Sequence, residues 1–358
     1  MGTALLRTLA LFSVMMILSG HALVGAGRRA VRASLGPESP SSGKASKAES
    51  IREELVRLRE RTGLALVTVR KNQIYEVDFR HRSLRVTRTF YAGRAAASGV
   101  VSNRGTQVAF ALDMTPRKTQ PMPQPACPHL ICLAIAEVDG TALRTYSHVA
   151  FPGAMCWSHD DSELVLVAQN TTRNGDALPI LQILSLDSKI AREIDGLDTF
   201  ATSQCYSPDD RQIVYTVNKP LGARTIRVYD TQRRQTRDLG SGSNATWSPD
   251  GKWIALLNCP ASLQNCTYET ASPLDGERRT LLATRLGQTP LWWSPDARFV
   301  AYVSPIGPHE DRADATPSQV YRLRIRRLED NSEDWILNLA DTDVLDFQWT
   351  TSLAVTQE

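Results

Sequence analysis

The sequence has almost no excess of either charge: 41 Lys plus Arg face 38 Asp plus Glu, a net of +3 over 358 residues. Even that excess is local, because residues 1–63 carry 10 basic and 5 acidic side chains and leave 31 basic against 33 acidic in 64–358. A nucleic-acid binder needs a basic face to neutralise phosphates, so the near-neutral body argues against that class. Lysine is scarce, 7 against 34 Arg, which reads as compositional bias rather than as a binding surface. Arg322, Arg324 and Arg326 alternate along a strand pattern and are expected on one solvated face. Histidine is also sparse. His21, His81, His129, His148, His159 and His309 show no spacing that pairs two of them as ligands, and no Cys pair has the two-residue spacing of common structural zinc sites. The G-x-S-x-G nucleophile motif is missing, and with it the signature of an α/β-hydrolase.

Only one long apolar run is present. LALFSVMMILSG follows a single basic residue, Arg7, and precedes the small residues Val24-Gly25-Ala26, the layout of a secretory signal peptide over 1–26. An uncleaved signal anchor is the competing reading, since Arg28, Arg29 and Arg32 flank the far end of the run. Six cysteines suit an oxidising destination, periplasmic or secreted. Cys127 with Cys132 and Cys259 with Cys266 lie at spacings that a loop or hairpin can bridge, and each pair is expected to be a disulfide. Cys156 and Cys205 occupy equivalent positions in successive repeats, which leaves open whether they bond. Residues 27–49, rich in Ser, Gly, Ala and Pro without apolar periodicity, read as a flexible linker. Ser50 with Glu53 then makes a capping box, Ile51, Leu55 and Leu58 recur at helical spacing, and Gly63 stands where a helix ends, so 50–63 is expected to be a short amphipathic helix docked on its own body.

From Leu64 onward the chain repeats. WSHDDSELVLVA from Trp157, YSPDDRQIVYTV from Tyr206, WSPDGKWIALLN from Trp247 and WSPDARFVAYVS from Trp293 align without gaps, a weaker copy starts at Val101, and Trp349 opens a copy cut short. Successive starts are 56, 49, 41, 46 and 56 residues apart, the period of a four-stranded propeller blade. In Trp247-Ser248-Pro249-Asp250-Gly251 the Pro presets φ, the Asp can bond its own backbone and Gly251 permits φ > 0, so the segment reverses the chain between two strands. The aromatic at each start is expected to pack between neighbouring blades, because no single blade can enclose a core.

These repeats resemble those of the TolB-type β-propellers, a WD-repeat-like family with this WSPDG signature, over about residues 64–358. The resemblance implies an all-β, six-bladed propeller. The residues after Trp349 cannot complete a sixth blade, whereas LALVTVRKNQIYEVDFRHRSLRVTR from Leu64 has strand patterning without a motif start. N- and C-terminal strands are therefore expected to share the closing blade. Family members called TolB carry an α/β domain before the propeller, and a linker and one helix stand in that place here, so the resemblance does not extend to a Tol-system role.

Propeller binding sites usually lie at a channel mouth, which draws attention to loops preceding each repeat start, with Arg94, Phe151, Asp198, Arg285 and Asp341 as candidates. These loops contain no His. Asp341, Asp343 and Asp346 are weak candidates for a calcium ion or for a basic peptide end; no other cofactor is expected. Two Pro-rich insertions, Met114 to Cys132 and Ser304 to Gln319, are candidate recognition loops. The expected function is a non-enzymatic, exported, monomeric scaffold that binds an envelope protein or peptide, with contact to membrane only through an uncleaved N-terminus. The rival is a metal-assisted, carbohydrate-active propeller enzyme.

Overall fold

The structure is a computed structural model that describes residues 42–91, 95–114, 131–150, 152–171, 177–194, 200–218, 223–259, 266–284, 289–307, 310, 315–316, 318–340 and 346–350. The expected signal peptide and most of the expected linker lie outside these residues. Among the described residues no helix is long and apolar enough to cross a membrane.

The strands form six four-stranded blades, five of them running from the ring axis outward in chain order. The first blade holds Ala65–Arg70, Gln73–Asp78 and Ser83–Thr89, with Gln348–Thr350 as its innermost strand. The second is Ala95–Val101, Gln107–Asp113, Ile131–Glu137 and Arg144–Ala150, and the third is Met155–Trp157, Glu163–Thr171, Ala177–Ser185 and Ala191–Glu193. One bridge, Ala150 to Gln169, joins these two into a continuous sheet. Phe200–Tyr206, Gln212–Asn218, Arg224–Asp230 and Gln235–Ser241 make the fourth blade; Ser243–Trp247, Ile254–Asn258, Cys266–Ala271 and Arg278–Thr284 make the fifth. The sixth comprises Trp292–Trp293, Phe299–Pro305, Gln319–Arg327 and Glu333–Ala340.

The second strand of each blade is apolar at consecutive positions because both of its faces are buried. Leu164, Leu166 and Ala168 enter the core shared with the second blade, while Val165 and Val167 enter the core shared with the fourth. Ile254 and Leu256 likewise face one neighbour, Ala255 and Leu257 the other. Six clusters result, one per blade interface, and every one draws residues from two blades. The motif aromatics lie at these interfaces as expected. Trp157, Tyr206 and Trp247 are buried against the preceding blade, and Trp157 Nε1 donates to Val100 O at 3.1 Å.

Ring closure follows the expected plan. Gln348–Thr350 pairs antiparallel with the first N-terminal strand in the register Ala65 to Thr350, Leu66 to Trp349 and Val67 to Gln348. Gln348 then reaches across to the second blade: its Nε2 donates to Val101 O at 2.5 Å and its Oε1 accepts from Val101 N–H at 3.0 Å. Trp349 Nε1 donates to Trp292 O of the sixth blade at 3.0 Å.

The helix spans Ser42–Thr62, so it starts within the segment read as linker, and Ser50 lies inside it rather than at its cap. Its C-terminus is where Gly63 placed it, with φ 72° and Gly63 N–H donating to Arg59 O. Ile51, Leu55 and Leu58 are buried in the cluster formed by the first and sixth blades. Arg59 pairs with Glu76 of the first blade, Arg52 Nε with Asp334 of the sixth at 2.9 Å, and Glu54 with Arg298 and Arg327 of the sixth. The helix thus spans the seam where the ring closes.

One expectation needs correction. Arg322 and Arg324 share a strand face, but that face is not solvated: Arg322 is buried, stacks on Trp335 at 4.5 Å and pairs with Glu310 and Asn338. Arg324 bonds Glu310, Glu333 and Ser304. Glu310 comes from the Ser304 to Gln319 insertion, so the arginines that looked like surface charge anchor that loop to its blade.

Because closure rests on one short strand, a chain shortened to end at Val344 should lose the single cooperative unfolding transition of the full chain. Thermal melting followed by circular dichroism checks this, and an unchanged transition would refute the closure scheme.

Candidate functional site

The motif turns build one mouth of the ring. In Ser158-His159-Asp160, Ser207-Pro208-Asp209, Ser248-Pro249-Asp250 and Ser294-Pro295-Asp296 the Ser hydroxyl donates to the Asp two residues on, at 2.6–2.7 Å. The same hydroxyl accepts the backbone N–H five residues on, at 2.9–3.0 Å. The residue after the Asp is left-handed in all four of these turns, Asp161, Asp210, Gly251 and Ala297 having φ of 61°, 57°, 69° and 55°, and Gly105, which follows Arg104 at the equivalent place, has φ 69°.

That left-handed residue also explains why His159 replaces the motif Pro. Asp161 accepts the backbone N–H groups of Asn103 at 2.7 Å and Arg104 at 3.0 Å on the preceding blade. Asp210 accepts those of His159 at 2.8 Å and Asp160 at 3.3 Å. Where the preceding turn carries Pro208 or Pro249, no N–H is available at that place, and the next blade has Gly251 or Ala297 instead of Asp.

Between this mouth and the level of Asp346 runs an axial cavity of ≈ 660 Å³. Its walls are the innermost strands of all six blades, and Asn103, His159, Pro208, Pro249 and Pro295 rim it. Cys156 and Cys205 line it as a disulfide that joins the inner strands of the third and fourth blades, with Cα atoms 5.2 Å apart. The question that repeat spacing left open is answered by this bond. Cys259 and Cys266 are bonded as expected. Cys132 is disulfide-bonded, and its expected partner Cys127 lies outside the described residues.

Five residues that line the cavity carry a buried polar atom without a hydrogen-bond partner, Thr68 Oγ1, Gln204 Oε1, Thr350 Oγ1 and the indole N–H groups of Trp247 and Trp293, each enclosed by protein and closed to the cavity. Among the described residues the one carboxylate on the wall is Asp346, which is exposed to the cavity and makes no hydrogen bond or ion pair with another described residue. It can touch solvent in the cavity while protein surrounds it, and that desolvation pushes its carboxyl above the usual range. His159 at the rim approaches Asp210 at 3.3 Å.

Of the residues singled out in the sequence, Arg94, Phe151, Asp198, Arg285, Asp341 and Asp343 lie outside the described residues, and Asp346 alone is placed on the cavity. Among the described residues no three His, Cys, Asp or Glu come together as a metal-ligand group. The loops before each repeat start drew attention in the sequence, whereas the wall comes from the inner strands that follow them. Gln204 carried a signal there, since two places before the aromatic the other copies have Gly99, Met155, Ala245, Leu291 and Phe347; one place earlier Asp346 is the one charge beside Ser98, Ala154, Ser203, Asn244 and Pro290.

A closed ring of six four-stranded blades with repeated Ser-Pro-Asp turns is a TolB-like β-propeller. TolB from Acinetobacter baumannii superposes with a TM-score of 0.57 at 16% identity, over 87% of this chain and 74% of that one. A second TolB-type structure, from Agrobacterium tumefaciens, gives 0.51 at 15% identity over 77% and 89%. An oligogalacturonate lyase in complex with manganese gives 0.52 at 13% identity over 74% and 70%. At these identities the likeness concerns the fold. No family model and no curated protein matches the sequence.

The cross-blade turn bond predicts a coupling. His159→Pro removes a donor to Asp210 and should cost about 1 kcal/mol in urea unfolding; paired with Asp210→Gly it should cost less than the two single changes summed. Additive losses would show that the turns are independent. A pH effect follows from Asp160, whose carboxyl is held below its usual range by hydrogen bonds from the Ser162 hydroxyl and N–H and from Ser158. A lowered carboxyl stabilises the fold above its unfolded pKa, about 3.9, and the contribution fades as pH falls through the folded value. Asp160→Asn should therefore lower Tm near neutrality and converge with the native chain as pH falls below the folded value.

Proposed function

We propose that this protein is an exported, non-enzymatic scaffold that binds a peptide segment of an envelope protein in its axial cavity. One observation carries the reading: a preformed cavity of ≈ 660 Å³ inside the ring, walled by the inner strands of all six blades, with the Asp346 carboxylate exposed to it and without a partner among the described residues. A ligand that enters it can bring a donor to that carboxylate while the rest of its surface covers the largely apolar wall. A ring closed by a strand, a docked helix and an inter-blade disulfide holds that wall fixed, so little ordering entropy is lost on binding. Export is supported by the pattern of residues 1–26 and by the disulfides, which persist in oxidising compartments.

The second reading, a metal-assisted lyase acting on carbohydrate, draws support from the fold shared with the manganese-bound oligogalacturonate lyase. It calls for converging ligands on the channel wall, and the wall described here offers Asp346 and the rim His159.

Ala154 separates the readings. Its side chain is exposed and lines the cavity, so Ala154→Trp should fill the space without entering a blade core. The native protein immobilised in an envelope extract should retain a specific protein that the Ala154→Trp variant releases, with unfolding unchanged between the two. Retention by the filled ring would overturn the cavity as binding site, and cleavage of oligogalacturonate by the native protein with manganese would favour the lyase.

A further inference from the structure

Among the described residues the cavity wall carries a single charge. Asp346 precedes the closing strand by two residues, and of the 30 described residues that line the space it is the one Asp or Glu, with no Lys or Arg among them. Among the described residues neither a hydrogen bond nor an ion pair engages it, and desolvation alone raises its carboxyl above the usual range. The nearest titratable lining residue by chemistry, His159, belongs to the motif turn and already faces Asp210. Elsewhere the protein leaves few such groups open: Asp334 holds Arg52 and Arg82, Glu76 holds Arg59 and Arg85, and Glu310 holds Arg322 and Arg324.

The surroundings of this carboxylate are apolar and aromatic. Trp293 and Trp349, which are only partly buried, line the same space, and ring faces attract cations as well as aliphatic stems. A carboxylate that protein has partly stripped of water gains most from an opposite charge brought by a ligand, because the attraction is less screened there than at the surface. A divalent metal ion asks for several oxygen ligands, and among the described residues of the wall it finds one carboxylate. A long side chain ending in a single cation matches what the described wall offers: an apolar stem for the apolar surface and a charge for Asp346.

We propose that the axial cavity selects a peptide segment bearing one cationic group, a Lys or Arg side chain or a free N-terminal amine, which pairs with Asp346. The inference rests on the peptide-binding reading above and adds the chemistry of what is recognised. It assigns the recognition to the closing blade, which supplies Asp346, Thr350 and Thr68.

The test uses the full chain and two synthetic random heptapeptide libraries, one with free and one with acetylated N-termini. The native protein should enrich Lys or Arg at one position in the acetylated library, or the unblocked amine in the free one. Affinity for a selected peptide should fall about 10- to 100-fold when its Lys is replaced by norleucine, a change that needs no protein variant. Asp346→Asn should weaken the original peptide by a similar factor and leave the norleucine peptide unchanged. Peptides selected without a cation preference, or bound equally by Asp346→Asn, would overturn the inference while leaving peptide binding intact. Selection of no peptide at all would overturn both. Calcium alone stabilising the native chain but not Asp346→Asn would make this a metal site and overturn the inference.

Discussion

The antiparallel pairing of Gln348–Thr350 with Ala65–Arg70 is the contact on which the other five interfaces depend. No blade has a core of its own: each of the six apolar clusters is built from two neighbours, so a ring open at one seam leaves two blade faces wet. Burial of apolar surface supplies the drive, and closure makes it available at every interface at once. The short strand is reinforced from three directions. Gln348 takes both backbone groups of Val101 on one side, Trp349 donates to Trp292 on the other, and the helix covers the seam with Ile51, Leu55 and Leu58. The seam also lacks the continuous motif turn that joins inner to second strand in the other blades, since its two strands come from opposite ends of the chain. The helix occupies the approach to that strand and contributes ion pairs to both flanking blades.

The motif does two jobs that a reading of one turn separates poorly. Its Ser and Asp close the turn on itself, which any single copy shows. Its third and fifth residues form a relation between copies: a free N–H at Asn103 or His159 coincides with Asp161 or Asp210 on the next blade, and Pro208 or Pro249 coincides with Gly251 or Ala297. His159 therefore looks like a degenerate motif position when read along the chain and like a hydrogen-bond donor when read around the ring.

Architecture was legible because it repeats. Trp157, Tyr206, Trp247 and Trp293 mark one place in successive blades, and the count of starts with a strand-patterned N-terminus defined closure before any coordinate. Contacts that occur once were not legible. Arg322 and Arg324 show the alternation of a solvated strand face, and only the folded insertion brings Glu310 back to bury them. The helix start was misplaced because Gly43 and the Ser and Lys residues around it carry no apolar stripe, although the helix runs from Ser42. Cys156 and Cys205 had equivalent positions as their only signal, and equivalence in a ring means adjacency of inner strands, which spacing along the chain does not express. The site followed the same rule. Attention fell on loops that vary between copies, while the cavity wall is made by strands whose departures from the pattern are single polar residues.

Those departures are concentrated where the ring is joined. Asp346, Thr350 and Thr68 belong to the closing blade, and two of the unpartnered wall atoms are theirs. The register Ala65 to Thr350 fixes the inner strand along the axis, and the Gln348 bonds to Val101 fix it around the axis, so the position of Asp346 two residues earlier is set by the same contacts that close the ring. A charge placed by the closing strand reports on closure itself: the cavity gains its carboxylate only in the complete ring. Recognition of a cation there is accordingly a property of the assembled propeller and of no single repeat.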